Sequence, residues 1–322
     1  MTRLLLLITL LIVNVDHVSA QQIDPGDVIR VTTTLVTVPV RVMDHTGKYV
    51  PDMREEEFRV FEDGVEQRLA YFAPVATPFT IILMLDISES THSTLKEIKD
   101  AALNFISQLR PDDEVIIITF DNRVNAIDQP TTDRDALRRM IEGIQPGGGT
   151  RLFDALDLVF KRLLHQIKRR KAIVLFTDGV DVESRKTAGE IMQAAEELDT
   201  LIYSARYDTY DAIREKIRRA NNSSPSTLPT VTSTKGTAED YRMARLFLKS
   251  LAEKTGGNMY EGRDPQKLEK AFAMIAEELR WQYSLGYYPT APPIPGQQRR
   301  IRVVMNRPRV VVHARSRYTH KR

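Results

Sequence analysis

"FTIILMLDISES", residues 79–90, decides the fold. Its first seven positions, Phe79 to Leu85, are almost wholly apolar and do not alternate with polar residues. Such a run reads as a strand covered on both faces, as in a parallel sheet flanked by helices. It ends on Asp86, Ser88 and Ser90, oxygen-bearing side chains at every second position. Ser and Asp commonly open a helix. They also suit a hard cation, if a sharp turn brings them together.

Three further runs repeat the pattern: "EVIIITF" (114–120), "KAIVLFTD" (171–178) and "TLIYSAR" (200–206). Helical spacings lie between and after them. Leu95, Ile98, Ala102, Phe105 and Leu109 form one set, and Leu137, Met140, Ile141 and Ile144 another. Leu152, Leu156, Val159 and Leu163 follow, then Leu246, Phe247 and Leu251, then Leu268, Phe272, Ile275 and Leu279. Strands alternating with helices predict an α/β fold with a doubly wound, mostly parallel sheet. "RVNAIDQ" (123–129) follows its strand after a short turn and is expected as an antiparallel edge.

The flanks have another rhythm. Val36, Val38, Val40 and Val42 recur with the period of a half-buried strand. "FRVFEDGVEQRLAYF" (58–72) reads as a hairpin turning at Asp63-Gly64. "QYSLGYY" (282–288), "RIRVVM" (300–305) and "RVVVHARSRY" (309–318) are strand-like as well. Neither flank has enough strands to stand alone, so both are expected in one flanking β-sandwich formed from N- and C-terminal strands. The expected divisions are 1–20, 21–77, 78–280 and 281–322, with 219–238, rich in Ser, Thr and Pro, as a surface loop.

Residues 1–20 carry Arg3, an apolar run at 4–13 and a "VSA" end, the pattern of a signal peptide cleaved before Gln21. The protein is therefore expected to be periplasmic or secreted, and no later segment is apolar enough to span a membrane. The absence of cysteine excludes disulfides, thiolate metal sites and Cys nucleophiles. A net charge of +3 gives no reason to expect a nucleic-acid partner for the whole chain. The nine Lys and Arg of residues 298–322 are expected on a solvated strand face that includes Arg309, His313, Arg315 and Arg317.

Asp86 and Asp178 both fall at carboxyl ends of predicted strands, where doubly wound sheets bind ligands. "QPGGGT" (145–150) adds Thr150, and its three glycines would let backbone approach a ligand. The set Asp86, Ser88, Ser90, Thr150 and Asp178 offers oxygen alone, which suits Mg²⁺ or Mn²⁺. "DISES", "GGGT" and "FTDG" in this order resemble the metal-ion-dependent adhesion site of a von Willebrand factor type A domain over about residues 78–280. "VRVMDHTGKYVPDMREEEFRVFEDG" and "YSLGYYP" extend the resemblance to exported bacterial proteins related to that domain. The resemblance implies that Ser88 and Ser90 bind the ion directly and that Thr150 binds it directly or through water. It also implies that Asp86 and Asp178 hold coordinated waters, and that a partner's carboxylate takes the open position.

"PGGGT" lacks the Lys-Ser/Thr end of a phosphate loop, and no second Asp stands two residues after Asp86 as in metal-dependent phosphatases. His92 is expected as a solvated residue. The reading is an exported, non-enzymatic protein that binds a protein ligand through a divalent cation. The alternatives are a scaffold whose metal site is unused and a metal-dependent hydrolase.

Overall fold

The structure, a computed structural model, describes residues 35–126, 129–210, 236–262, 264–292 and 294–320. The expected signal segment 1–20 lies outside them, as do residues 219–235 of the expected surface loop. The described chain begins with β1 (Val36–Asp44), β2 (Phe58–Glu62), β3 (Val65–Gln67) and β4 (Leu69–Ala73). Then come β5 (Phe79–Asp86), α1 (Leu95–Gln108), β6 (Glu114–Phe120), β7 (Val124–Ala126), α2 (Arg134–Glu142) and α3 (Leu152–Leu158). They are followed by β8 (Arg170–Thr177), α4 (Ala188–Glu196), β9 (Leu201–Arg206), α5 (Ala238–Thr255), β10 (Met259–Glu261) and α6 (Pro265–Arg280). The last strands are β11 (Gln282–Tyr287), β12 (Gln298–Met305), β13 (Val310–Ala314) and β14 (Arg317–Thr319).

The central sheet has the order β10-β9-β8-β5-β6-β7 and is parallel except for the antiparallel edge β7. Every residue of β5 is buried, which is why its sequence shows no alternation. One face packs Ile81, Leu83 and Leu85 against α1, α2 and α6, and the other packs Ile82 and Met84 against α3, α4 and α5. Each such aliphatic side chain contributes about 1.5–3 kcal/mol on burial. From β5 the order runs outward to β6 on one side and to β8 on the other. The switch point therefore lies between β5 and β8, beneath Asp86 and Asp178.

The flanking strands form two antiparallel sheets, β13-β1-β11-β4 and β14-β12-β2-β3, each drawn from both ends of the chain. Val38, Val40, Tyr283 and Leu285 of one sheet share a core with Phe58, Val60 and Ile301 of the other. Asp63 and Gly64 both have positive φ, 47° and 92°, as a two-residue I′ hairpin requires. Glu62 is buried within this core. It pairs with Arg299 at 2.5 Å and accepts hydrogen bonds from the Tyr287 and Tyr318 hydroxyls at 2.7 Å each. No helix among the described residues is long and apolar enough to cross a membrane.

Two expectations need correction. "RVVVHARSRY" is not one strand: it splits into β13 and β14, which lie in different sheets. Arg315, between them, is not on a solvated face. It is 6% exposed and donates to the carbonyls of Leu198 and Thr37.

Candidate metal centre

Asp86 is the last residue of β5, and Asp178 directly follows β8. Both carboxylates are fully buried. Asp86 Oδ1 accepts from the Ser88 backbone N at 3.0 Å, and Oδ2 accepts from the Thr177 hydroxyl at 2.5 Å. Asp178 Oδ1 accepts from the Val180 backbone N at 3.0 Å, and Oδ2 from the Thr209 hydroxyl at 2.7 Å. Thr209 in turn meets the Tyr241 hydroxyl at 2.8 Å. The Ser88 and Ser90 hydroxyls are 3.2 Å apart.

Burial, and then repulsion from Asp178, pushes the Asp86 carboxyl up to about 7. Burial likewise raises Asp178, against the lowering contacts of Thr209, Val180 and Ser90 and the weaker field of Arg206. Two acids are thus packed together at a cost that their hydroxyl and amide donors do not cancel. Arg206 is the described cation whose field reaches Asp178, but its ion pair goes to Asp208 at 3.1 Å.

Three loops are sewn together around this pair. The backbone N of Gly147 donates to the Ile87 carbonyl at 2.7 Å, and that of Glu89 donates to the Gly148 carbonyl at 2.7 Å. The Thr150 carbonyl accepts from Val182 and Glu183 at 3.1 and 3.0 Å. Thr150 is 4% exposed, and its hydroxyl has no hydrogen-bond partner among the described residues. The structure therefore joins Asp86, Ser88, Ser90 and Asp178 by direct contacts and places Thr150 on the adjoining loop.

Among the described residues no three His, Asp or Glu side chains converge as metal ligands. An ion here would have to use hydroxyls alongside the two acids. The residues fit a hard cation on that basis: buried, mutually repelling carboxylates, paired serine hydroxyls and an unengaged threonine hydroxyl, all oxygen donors.

Two of the glycines of "QPGGGT" are also demanded by packing. A Cβ on Gly147 would lie 2.3 Å from Asp121 Oδ2, and one on Gly149 would lie 2.3 Å from Glu183 Oε1. His92 is exposed as expected, but its Nε2 also donates to the Gly147 carbonyl at 2.7 Å. Sequence reasoning missed Thr177, Thr209, Tyr241 and Asp121. Thr177 stood inside "FTDG", and a buried hydroxyl one residue before the acid was the available signal. Thr209 and Tyr241 reach Asp178 only through the tertiary fold and left no local signal.

Residues 81–180 match the family profile of the von Willebrand factor type A domain. An uncharacterized protein of Borreliella burgdorferi is 27% identical over 134 residues, covering 38% of this chain and 39% of that protein. The uncharacterized protein sll0103 of Synechocystis is 32% identical over 106 residues, covering 32% of this chain and 25% of that protein. The chain thus matches well under half the length of these relatives. Among solved structures, a von Willebrand factor type A protein of Catenulispora acidiphila has a TM-score of 0.49 at 12% identity, covering 82% of this chain and 74% of that one. Proximal thread matrix protein 1 of the mussel byssus, solved with zinc in its adhesion-site motif, has a TM-score of 0.48 at 14% identity, covering 69% of this chain and 50% of that one.

Proposed function

We propose that this von Willebrand factor type A domain holds a protein partner through a divalent cation, Mg²⁺ or Mn²⁺, bound by Asp86, Ser88, Ser90, Thr150 and Asp178. The observation that carries the reading is the pair of fully buried carboxylates at the switch point of the sheet, pushed up by burial and ringed by hydroxyls. Such a pair is stabilised by an added positive charge. The hydroxyls supply neutral ligands, so a bound ion keeps part of its charge and attracts an Asp or Glu of the partner. The ion's contribution is to attract and orient that carboxylate. This chain's residues fix its position, because Thr177 and Thr209 hold the two acids from behind. The apolar run at 4–13 supports export to the periplasm or beyond.

Titration calorimetry of Mg²⁺ into metal-free protein, with and without Asp86→Ala, tests the centre. Binding is expected for the wild type and is expected to be lost in the variant. A partner pull-down in Mg²⁺ or EDTA tests the bridge. Absence of heat and an unchanged melting temperature at millimolar Mg²⁺ would leave the domain as a scaffold.

A further inference from the structure

Next to the centre lies a recess of about 540 Å³. Ile87, which follows Asp86, lines it with Gly147 and Gly148, and so do Thr119, Arg123 and Asn125 at the ends of β6 and β7. Thr119 stands directly opposite Asn125 across the β6–β7 pair, so the two side chains share a face. An apolar residue at Thr119 would have continued the buried row begun by Val115 and Ile117.

What distinguishes this recess is its unspent polarity. The side chains of Thr119, Asn122, Arg123 and Asn125 make no hydrogen bond or ion pair among the described residues. Asp121 is the one acid lining the recess among the described residues. Its carboxylate is already held by the backbone N of Arg123 at 2.6 Å and that of Gly148 at 3.0 Å. The Arg123 guanidinium is therefore exposed and unpaired beside two free carboxamides.

We infer that this recess takes a second carboxylate of the partner, so that the partner presents two acidic residues in close succession, one to the centre and one to Arg123. The inference rests on the metal-bridged reading above. A guanidinium grips a carboxylate through two parallel N–H···O bonds. The carboxamides of Asn122 and Asn125 supply donors for the remaining lone pairs. The recess is also roomy enough for an acidic side chain with its adjoining backbone.

The probes are labelled glycine peptides carrying one glutamate, or two glutamates separated by zero to three glycines. Binding is measured by fluorescence anisotropy in Mg²⁺ and in EDTA. In Mg²⁺ the best two-acid peptide is expected to bind about tenfold tighter than the one-acid peptide, the worth of one charge-assisted contact. Arg123→Gln is expected to reduce the two-acid peptide to the one-acid affinity, with circular dichroism as the fold control. Asp86→Ala is expected to abolish both. An unchanged tenfold preference in Arg123→Gln, with Mg²⁺ and Asp86 still required, would overturn the inference and leave the centre intact. Absence of peptide binding while calorimetry still detects Mg²⁺ would also overturn it. Equal binding in Mg²⁺ and EDTA would instead overturn the metal-bridged reading. A preference still lost in Arg123→Gln under EDTA would then keep the recess as a carboxylate site in its own right.

Discussion

Gly147 and Gly149 have the same lack of space but against different neighbours. A methyl group on Gly147 would meet the Cβ of Asp121 at 2.5 Å as well as its carboxylate, and the Asp121 carboxylate is tied to two backbone N–H groups. A methyl group on Gly149 would meet only the far end of Glu183, a side chain 40% exposed and loosely paired with Arg151 at 3.7 Å. Gly147→Ala is therefore expected to cost roughly 1–3 kcal/mol, as overpacking does, and Gly149→Ala distinctly less. Urea unfolding of the two variants checks the order, and equal losses would contradict it. The glycines were visible in the sequence, but their reason was not, because Asp121 and Glu183 are brought to them only by folding. Asp86 and Asp178 were legible because each closes a largely apolar run, and a parallel sheet turns that one-dimensional cue into a shared edge. Arg315 was misplaced because alternation assigns a side to a residue without knowing what packs there.

At the scale of elements, long buried strands and long amphipathic helices could be read directly, and so could the short β3 and β7, which turn signals mark, but other short elements could not. Helix α4, "AGEIMQAAE", buries only Ile191 and Ala195, too few apolar positions to show a period. Its start is fixed instead by a capping box, in which the Thr187 hydroxyl accepts from the Glu190 backbone N and Glu190 accepts from the Thr187 backbone N at 2.9 Å. Lys186 also pairs with Glu190 at 2.8 Å. Together, Lys186 first and then Thr187, they hold the Glu190 carboxyl down at about 2. A carboxyl whose folded pKa lies below its unfolded value stabilises the fold above the unfolded value, and that stability is lost as pH falls through the folded one. Glu190→Gln should therefore lower the melting temperature near neutral pH. The gap to wild type should close between the ordinary glutamate range and about pH 2. A gap that stays constant across that window would show that the cap does not depend on the charge. Strand β10, three residues long, and the break between β13 and β14 were likewise below what local sequence could mark.

At the scale of the molecule, the described residues between 35 and 320 form one compact unit, and arginines join its flanking sheets to the α/β core. Arg170, at the start of β8, donates to the carbonyls of Pro74 at 3.1 Å and Thr77 at 2.8 Å, and to that of Gln282 at 2.5 Å. Pro74 and Thr77 lie on the segment entering the core from β4, and Gln282 on the strand leaving it. One side chain therefore pins both crossings. Its guanidinium also lies 4.0 Å from the centre of the Phe79 ring, and burial lowers its pKa to about 10. Arg110 adds bonds to the carbonyls of Val75 and Arg280, and Arg41 of β1 pairs with Glu278 of α6. Tight coupling of this kind predicts a single unfolding transition for the full chain. Arg170→Met would keep the aliphatic contact and strand three carbonyls without their donor, at about 1–3 kcal/mol for each one left unsatisfied. That loss falls on the junction and not on either core, so the sheets should detach before the α/β domain melts. The lone tryptophan, Trp281, sits at this junction with its ring stacked 6.4 Å from Tyr49, and its fluorescence reports docking directly. In wild type the Trp281 fluorescence and far-ultraviolet circular dichroism transitions in urea should coincide. In Arg170→Met the fluorescence change should come first. Coincident transitions in the variant would mean that the shared β-sheet pairing, and not the arginine, holds the two parts together.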